Sequence, residues 1–190
     1  IPLRPADLGR GDHREQLRRE IRGKYVDRVL PNAGLCVAFY DFVSFQDAIV
    51  YPGDGKLSCG EAYFKVEFNL VVFRPVVNEW LVGSISASTE KGLTVSLGFF
   101  EDVEIPPANL RTPYTFDAAR QAWVWQYRSE ETSESFNLFY EKEQLVRFRV
   151  IAVHYPQLAC PGEGRVSPMK LTGAVDLDGL GCVSWWPACE

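Results

Sequence analysis

Val95-Ser96-Leu97-Gly98-Phe99-Phe100-Glu101-Asp102-Val103-Glu104-Ile105-Pro106-Pro107 sets two short alternating runs on either side of a Gly-aromatic turn. With its lead-in Leu81-Val82-Gly83-Ser84-Ile85, this is the pattern of a small antiparallel barrel, an architecture that commonly binds single-stranded nucleic acid. From Glu79 onward the chain reads as short strands at 79–87, 93–99, 103–106, 122–128, 145–153, 171–176 and 181–186. Irregular segments are expected at 129–141 and 154–169, both longer than is usual in a compact domain.

Upstream the pattern changes. Asp12-His13-Arg14-Glu15 fits a capping box, and Leu17, Ile21 and Tyr25 follow at four-residue spacing, which predicts a helix over 12–25. Its opposite face carries Arg14, Arg18, Arg19 and Arg22, read as a solvated face or as a contact for an acidic partner. Two strands follow. In the first, Leu35, Val37 and Phe39 alternate with Cys36, Ala38 and Tyr40. In the second, Phe64, Val66, Phe68, Leu70 and Val72 alternate with Tyr63, Lys65, Glu67, Asn69 and Val71. Tyr51-Pro52-Gly53-Asp54-Gly55, between them, is a hairpin connection or a protruding contact loop. Arg74-Pro75 ends the second run because proline cannot continue a central strand. The expected organisation is an α+β domain over 1–76 followed by an all-β barrel over 77–190.

The 190 residues carry a net charge of −5, which argues against a protein that grips a duplex by its phosphates. Single-strand binding is compatible with it, because base stacking then carries much of the energy. Charge is uneven: residues 1–30 hold eight Lys/Arg against five Asp/Glu, residues 78–190 nine against fifteen. Part of the acidic excess, at Glu130, Glu131, Glu134, Glu141 and Glu143, reads as a solvated loop. No apolar run approaches the ~20 residues that span a bilayer. The five cysteines, Cys36, Cys59, Cys160, Cys182 and Cys189, include no pair two residues apart, which speaks against a disulfide framework or a zinc ribbon and for a reducing compartment. His13 and His154 stand apart from other metal ligands, so neither a metal nor a cofactor is expected.

Catalytic signatures are missing. There is no phosphate-cradling Gly loop, no HExxH and no Gly-x-Ser-x-Gly, and the Gly-x-Gly pairs never extend to a third glycine at dinucleotide spacing. The paired carboxylates Glu101-Asp102 and Asp176/Asp178 fall in polar turns, whereas acid–base work needs two distinct, partly buried environments. An enzyme is not expected. Binding features are stronger. Trp123, Trp125 and Tyr127 share one face of a strand and form either a stacking platform or packed core, the second being preferred. Arg147 and Arg149 flank Phe148 and point out of the barrel as candidate phosphate contacts. Phe99 and Phe100 lie in a turn that should expose at least one ring, and Lys91 completes the set of candidate RNA-binding residues.

Gly34-Leu35-Cys36, Tyr51–Gly55 and Val72-Phe73-Arg74-Pro75 resemble the tip domain of the archaeal E-like family of RNA polymerase stalk subunits. Val95–Asp102, Trp123-Val124-Trp125, Arg147–Val150 and Gly181-Cys182-Val183-Ser184-Trp185-Trp186 are more specifically similar to its eukaryotic RNA polymerase III branch. The resemblance runs from Ile1 to Trp186. It implies a ribonucleoprotein-like tip domain followed by an S1-type oligonucleotide-binding barrel, with a further strand before Ile1 whose loss would leave a sheet edge unpaired. It implies a non-catalytic nuclear subunit of RNA polymerase III that acts in initiation, contacts emerging single-stranded RNA and pairs with a small helical stalk subunit. Under that reading Arg18, Arg22 and the loop Pro52, Gly53, Asp54 and Gly55 face the polymerase core or the partner. Where S1 barrels often carry a His on the third strand this chain has Ile105-Pro106, so RNA binding alone is expected to be weak. The competing reading is a free-standing S1-domain RNA-binding regulator working away from polymerase, against which the tip-domain motifs speak.

Overall fold

A computed structural model describes residues 1–8, 12–30, 33–50, 60–128, 135–155 and 169–186. It divides into two compact units, Ile1–Arg74 and Pro75–Glu190.

In the first unit β1 (Pro2–Leu3), α1 (Pro5–Leu8), α2 (His13–Tyr25), β2 (Val29–Leu30), β3 (Gly34–Phe45), β4 (Ile49–Val50), β5 (Ala62–Tyr63) and β6 (Val66–Phe73) follow in order. They form two three-stranded sheets, β2-β3-β6 and β1-β5-β4, every pair antiparallel. Asp12 caps α2 by accepting the Arg14 amide, while Glu15 turns away from the cap to take a hydrogen bond from Arg18 at 2.7 Å. Only half of the expected capping box is therefore made. Leu17 and Ile21 are fully buried and Tyr25 stacks on Phe68 at 5.7 Å, so the four-residue stripe is the seam between helix and sheet. Strand β6 alternates as its sequence requires. β3 does not: register shifts after Cys36, Phe39 and Phe42 break its period, and Leu35 and Cys36 are both buried although neighbours.

The second unit contains β7 (Trp80–Thr89), β8 (Gly92–Ser96), β9 (Val103–Ile105), a 3-10 turn (Pro107–Asn109), β10 (Tyr114–Asp117), β11 (Ala122–Arg128), β12 (Ser135–Tyr140), β13 (Leu145–His154), β14 (Lys170–Ala174), β15 (Gly181–Cys182) and a 3-10 turn (Val183–Trp185). Sheet order β14-β9-β8-β7-β13 closes on itself because β14 pairs parallel with β9 and antiparallel with β13. The result is a closed five-stranded barrel of oligonucleotide-binding type. Ile85, Val95, Val103, Val146, Phe148 and Leu171 fill it and are fully enclosed. Asn109 donates to the Gly173 carbonyl (3.0 Å) and its own carbonyl accepts the Val175 amide, which ties the first 3-10 turn to β14.

Beside the barrel stands a three-stranded antiparallel sheet, β10-β11-β12. It corrects the reading of 129–141 as one irregular, solvated segment: residues 135–140 are a strand in register with β11, Tyr127 opposite Phe136 and Trp123 opposite Tyr140. The expected strand 181–186 is likewise shorter, because after Cys182 the chain coils into a 3-10 turn.

Candidate nucleic-acid interface

Lys91 sits at the tight β7–β8 turn, where Gly92 adopts φ +130 and lies against β9 so closely that a Cβ there would be 2.2 Å from the Ile105 carbonyl oxygen. Only glycine permits that approach. The turn thereby borders a cleft of about 260 Å³ whose polar lining includes Thr89, Thr94, Glu104 and Thr172. Lys170 offsets the Glu104 carboxylate at 3.3 Å, and Lys91 makes no ion pair among the described residues. Hydroxyls plus one free ammonium suit a sugar–phosphate backbone.

The two β13 arginines point out of the barrel, but their guanidinium groups are already engaged. Arg149 donates to Asn78 Oδ1 (2.8 Å) and to both carboxylate oxygens of Asp176 (3.1 and 3.3 Å), and Arg147 donates to the Gly179 carbonyl at 3.4 Å. Together they fasten the 176–179 turn to the barrel wall. Arg149 would have to exchange a carboxylate for a phosphate to serve as a backbone contact. The turn aromatics separate: Phe99 is 55% exposed, whereas Phe100 is 5% exposed and belongs to the core. Phe100 therefore cannot stack a base, because its ring is spent on packing.

On α2, Arg18 lies over the Phe39 ring (5.6 Å) and Arg14 over Phe45 (4.7 Å). Arg14 stays exposed and Arg18 partly so, and their long stems also cover aromatic surface of β3. Arg22 borders a groove of about 490 Å³ with Asp27 and Phe39. Pro52, Gly53, Asp54 and Gly55 fall outside the described residues.

The face of β11 that carries Trp123, Trp125 and Tyr127 is graded. Trp123 is buried, donates its indole N–H to the Thr89 carbonyl (2.8 Å) and packs on Tyr114 and Phe116. Trp125 is buried under Trp185 (5.7 Å), and Tyr127 emerges at 39% exposure. Core and accessible ring thus occupy the same face at different depths. Trp185 reaches Trp125 and Tyr140 because Gly181, at φ +104, leaves room for its ring: a Cβ there would stand 2.7 Å from it. The arginine that completes this corner, Arg111, is one that no sequence pattern singles out. Its guanidinium lies 4.5 Å from the Trp125 ring and 5.8 Å from Trp186, and donates to Asp178 and to the Leu177 carbonyl at 2.9 Å. The distant pairing of position 111 with 178 explains why.

Behind it, burial pushes the Cys182 thiol up to about 12 and the Tyr140 hydroxyl up as well, with negative charge from Glu141 and Cys182 respectively adding to each. A thiol so raised is not a nucleophile at neutral pH. Among the described residues no three His, Cys, Asp or Glu gather as a metal site.

Comparison with known proteins agrees with this layout. A model described as the SHS2 domain found in the N terminus of Rpb7p/Rpc25p/MJ0397 matches residues 1–55, and one described as RNA polymerase III subunit Rpc25 matches residues 79–165. DNA-directed RNA polymerase III subunit RPC8 of Bos taurus is 35% identical over 185 residues, covering 90% of this chain and 87% of the relative. The same subunit of Schizosaccharomyces pombe is 32% identical over 186 residues, covering 91% and 89%. DNA-directed RNA polymerase subunit Rpo7 of Saccharolobus solfataricus is 30% identical over 79 residues, 42% of this chain and 41% of its own length. From identity sustained across both units, the chain belongs to the RNA polymerase III subunit RPC8 (Rpc25) family.

Proposed function

We propose that this chain is a non-catalytic stalk subunit of nuclear RNA polymerase III, paired with a small helical stalk subunit, acting in transcription initiation and touching the emerging single-stranded RNA. The observation that carries the reading is the identity to polymerase III subunits over 90% and 91% of the chain, which spans both units. The first unit would supply the docking surface, with Arg18, Arg22 and the 52–55 loop toward the core or the partner. The barrel would supply the RNA contacts.

Within the barrel, Lys91 and its threonine-lined cleft offer the backbone contact and Phe99 the exposed ring for stacking. Arg147 and Arg149 would join only by releasing the 176–179 turn. The surplus of acid in residues 78–190 opposes long-range attraction of RNA, so affinity rests on stacking and on RNA delivered at high local concentration by the polymerase. Tagged purification from the source cell at moderate salt tests the assembly. Stoichiometric polymerase III subunits together with one small helical protein are expected; recovery with RNA and no polymerase would favour a free-standing RNA-binding regulator instead. For the RNA contact, Lys91→Glu combined with Phe99→Ala should weaken single-stranded RNA binding about tenfold or more at matched salt. Equal binding by both proteins would remove these residues from the interface.

A further inference from the structure

A groove of about 470 Å³ opens between β11, β12 and the C-terminal 3-10 turn, and it lies apart from the Lys91 cleft. Buried Trp125 forms its floor, Trp185 and Trp186 one wall, and Tyr127 and Phe136 the open end. The last two are directly paired across the strands and are 39% and 48% exposed. The volume is at the small end of the range for ligand pockets, ~300–1,000 Å³, which suits a few side chains rather than a globular surface.

Two observations decide what those side chains are. First, the groove already receives a guanidinium: Arg111 lies on Trp125 and Trp186, held there by Asp178 and the Leu177 carbonyl. These ring faces are arranged for a planar cation, and Tyr127 and Phe136 continue them outward unoccupied by any cation among the described residues. Second, the charge around the groove favours a cation over an anion. Arg111 is neutralised by Asp178, whose side chain is 87% exposed and lines the groove. The unit that carries the groove is acidic as a whole, with fifteen Asp/Glu against nine Lys/Arg over residues 78–190. A phosphodiester would be repelled where a basic peptide is drawn in.

We propose that this aromatic groove docks an extended, arginine- or lysine-bearing segment of a partner protein, its cation stacked on Tyr127 and Phe136 and facing Asp178. The site is independent of the RNA reading, since it uses none of the same residues. It is tested on the full chain with a short Arg-Pro repeat peptide, its Glu-Pro counterpart and an oligouridine, titrated while the indole signals are followed by NMR. The Arg-Pro peptide should bind saturably, shift the Trp125, Trp185 and Trp186 indole resonances, and lose about tenfold in affinity with Tyr127→Ala plus Phe136→Ala. Both rings are surface-exposed at that end, and retention of the remaining spectrum checks that the variant is folded. The proposal falls if the Arg-Pro peptide does not saturate, if the double variant binds it equally, or if the Glu-Pro peptide or oligouridine shifts the same indoles at lower concentration.

Discussion

The barrel and the sheet beside it solve the burial of large apolar side chains in opposite ways. In the barrel every inward position is enclosed, because β14 pairs on both sides and no strand is left with one neighbour. In the β10-β11-β12 sheet the apolar face is covered at one end only, and burial falls along β11 from Trp123 to Tyr127 and along β12 from Tyr140 to Phe136. Closure makes a barrel stable and chemically mute inside, which leaves its turns, such as Lys91–Gly92, as the surface open to a ligand. An open sheet keeps rings anchored at one end and available at the other. Under the proposed reading the barrel would support the binding sites, and the open sheet and turns would present them.

The sharpest break of this contrast is in the barrel. Phe148→Ala removes an enclosed ring, and unfolding by denaturant should show a loss of about 3–5 kcal/mol with little change in slope. Along the sheet the cost should be graded: about 3 kcal/mol for Trp123→Ala, about 1 for Tyr127→Ala and under about 0.5 for Phe136→Ala. Equal costs would mean that the outer end is as tightly packed as the inner. Gly181→Ala should lose roughly 1–3 kcal/mol, since it strains a φ of +104 and displaces Trp185. Its distinctive mark is altered tryptophan fluorescence, which Phe148→Ala in the barrel should share only on global unfolding.

A pH series refines the same picture. The Cys182 thiol is raised from 9.0 to about 12 in the fold, so the fold favours its neutral form. That stability is complete below about pH 9 and drains as pH rises toward 12, at no more than about 1.4 kcal/mol per pH unit for one group. Between pH 9 and 12 the denaturation midpoint of the native protein should therefore fall relative to that of Cys182→Ala. At pH 8 the folded thiol should react with an alkylating reagent about a thousandfold more slowly than in the denatured chain. The smallest effect belongs to the surface of α2: Arg18→Ala should cost a few tenths of a kcal/mol, losing an exposed pair with Glu15 and cover over Phe39.

What the sequence makes legible follows the range of the interactions concerned. The helix at 12–25, strand β6 and the paired aromatic positions of β11 are local periodicities, and the structure keeps them. Strand β12 carries the same kind of signal in Phe136, Leu138 and Tyr140, yet glutamates on both flanks make the stretch read as solvated. The bulges of β3 show only in its register against β6 and leave no trace in its own alternation. At the candidate sites the outward direction of Arg147 and Arg149 is readable, but their partners Asp176 and Gly179 are about 30 residues away, and only the folded chain joins them. The same holds for Arg111, which becomes a groove residue through Asp178.

The double pairing of β14 also fixes an order of events during synthesis. Strands β7, β8 and β9 emerge from the ribosome first, yet the strand that covers the free edge of β9 lies 66 residues farther along, as the Glu104–Lys170 pair measures. Until Leu171 has emerged, both β9 and the outer half of β13 present bare backbone edges, and such edges recruit strands from other chains. The physical expectation is a nascent chain that is adhesive until β14 is free to pair. Chains truncated just before β14 should accumulate as aggregates or on chaperones, while those ending just after Trp186 should not.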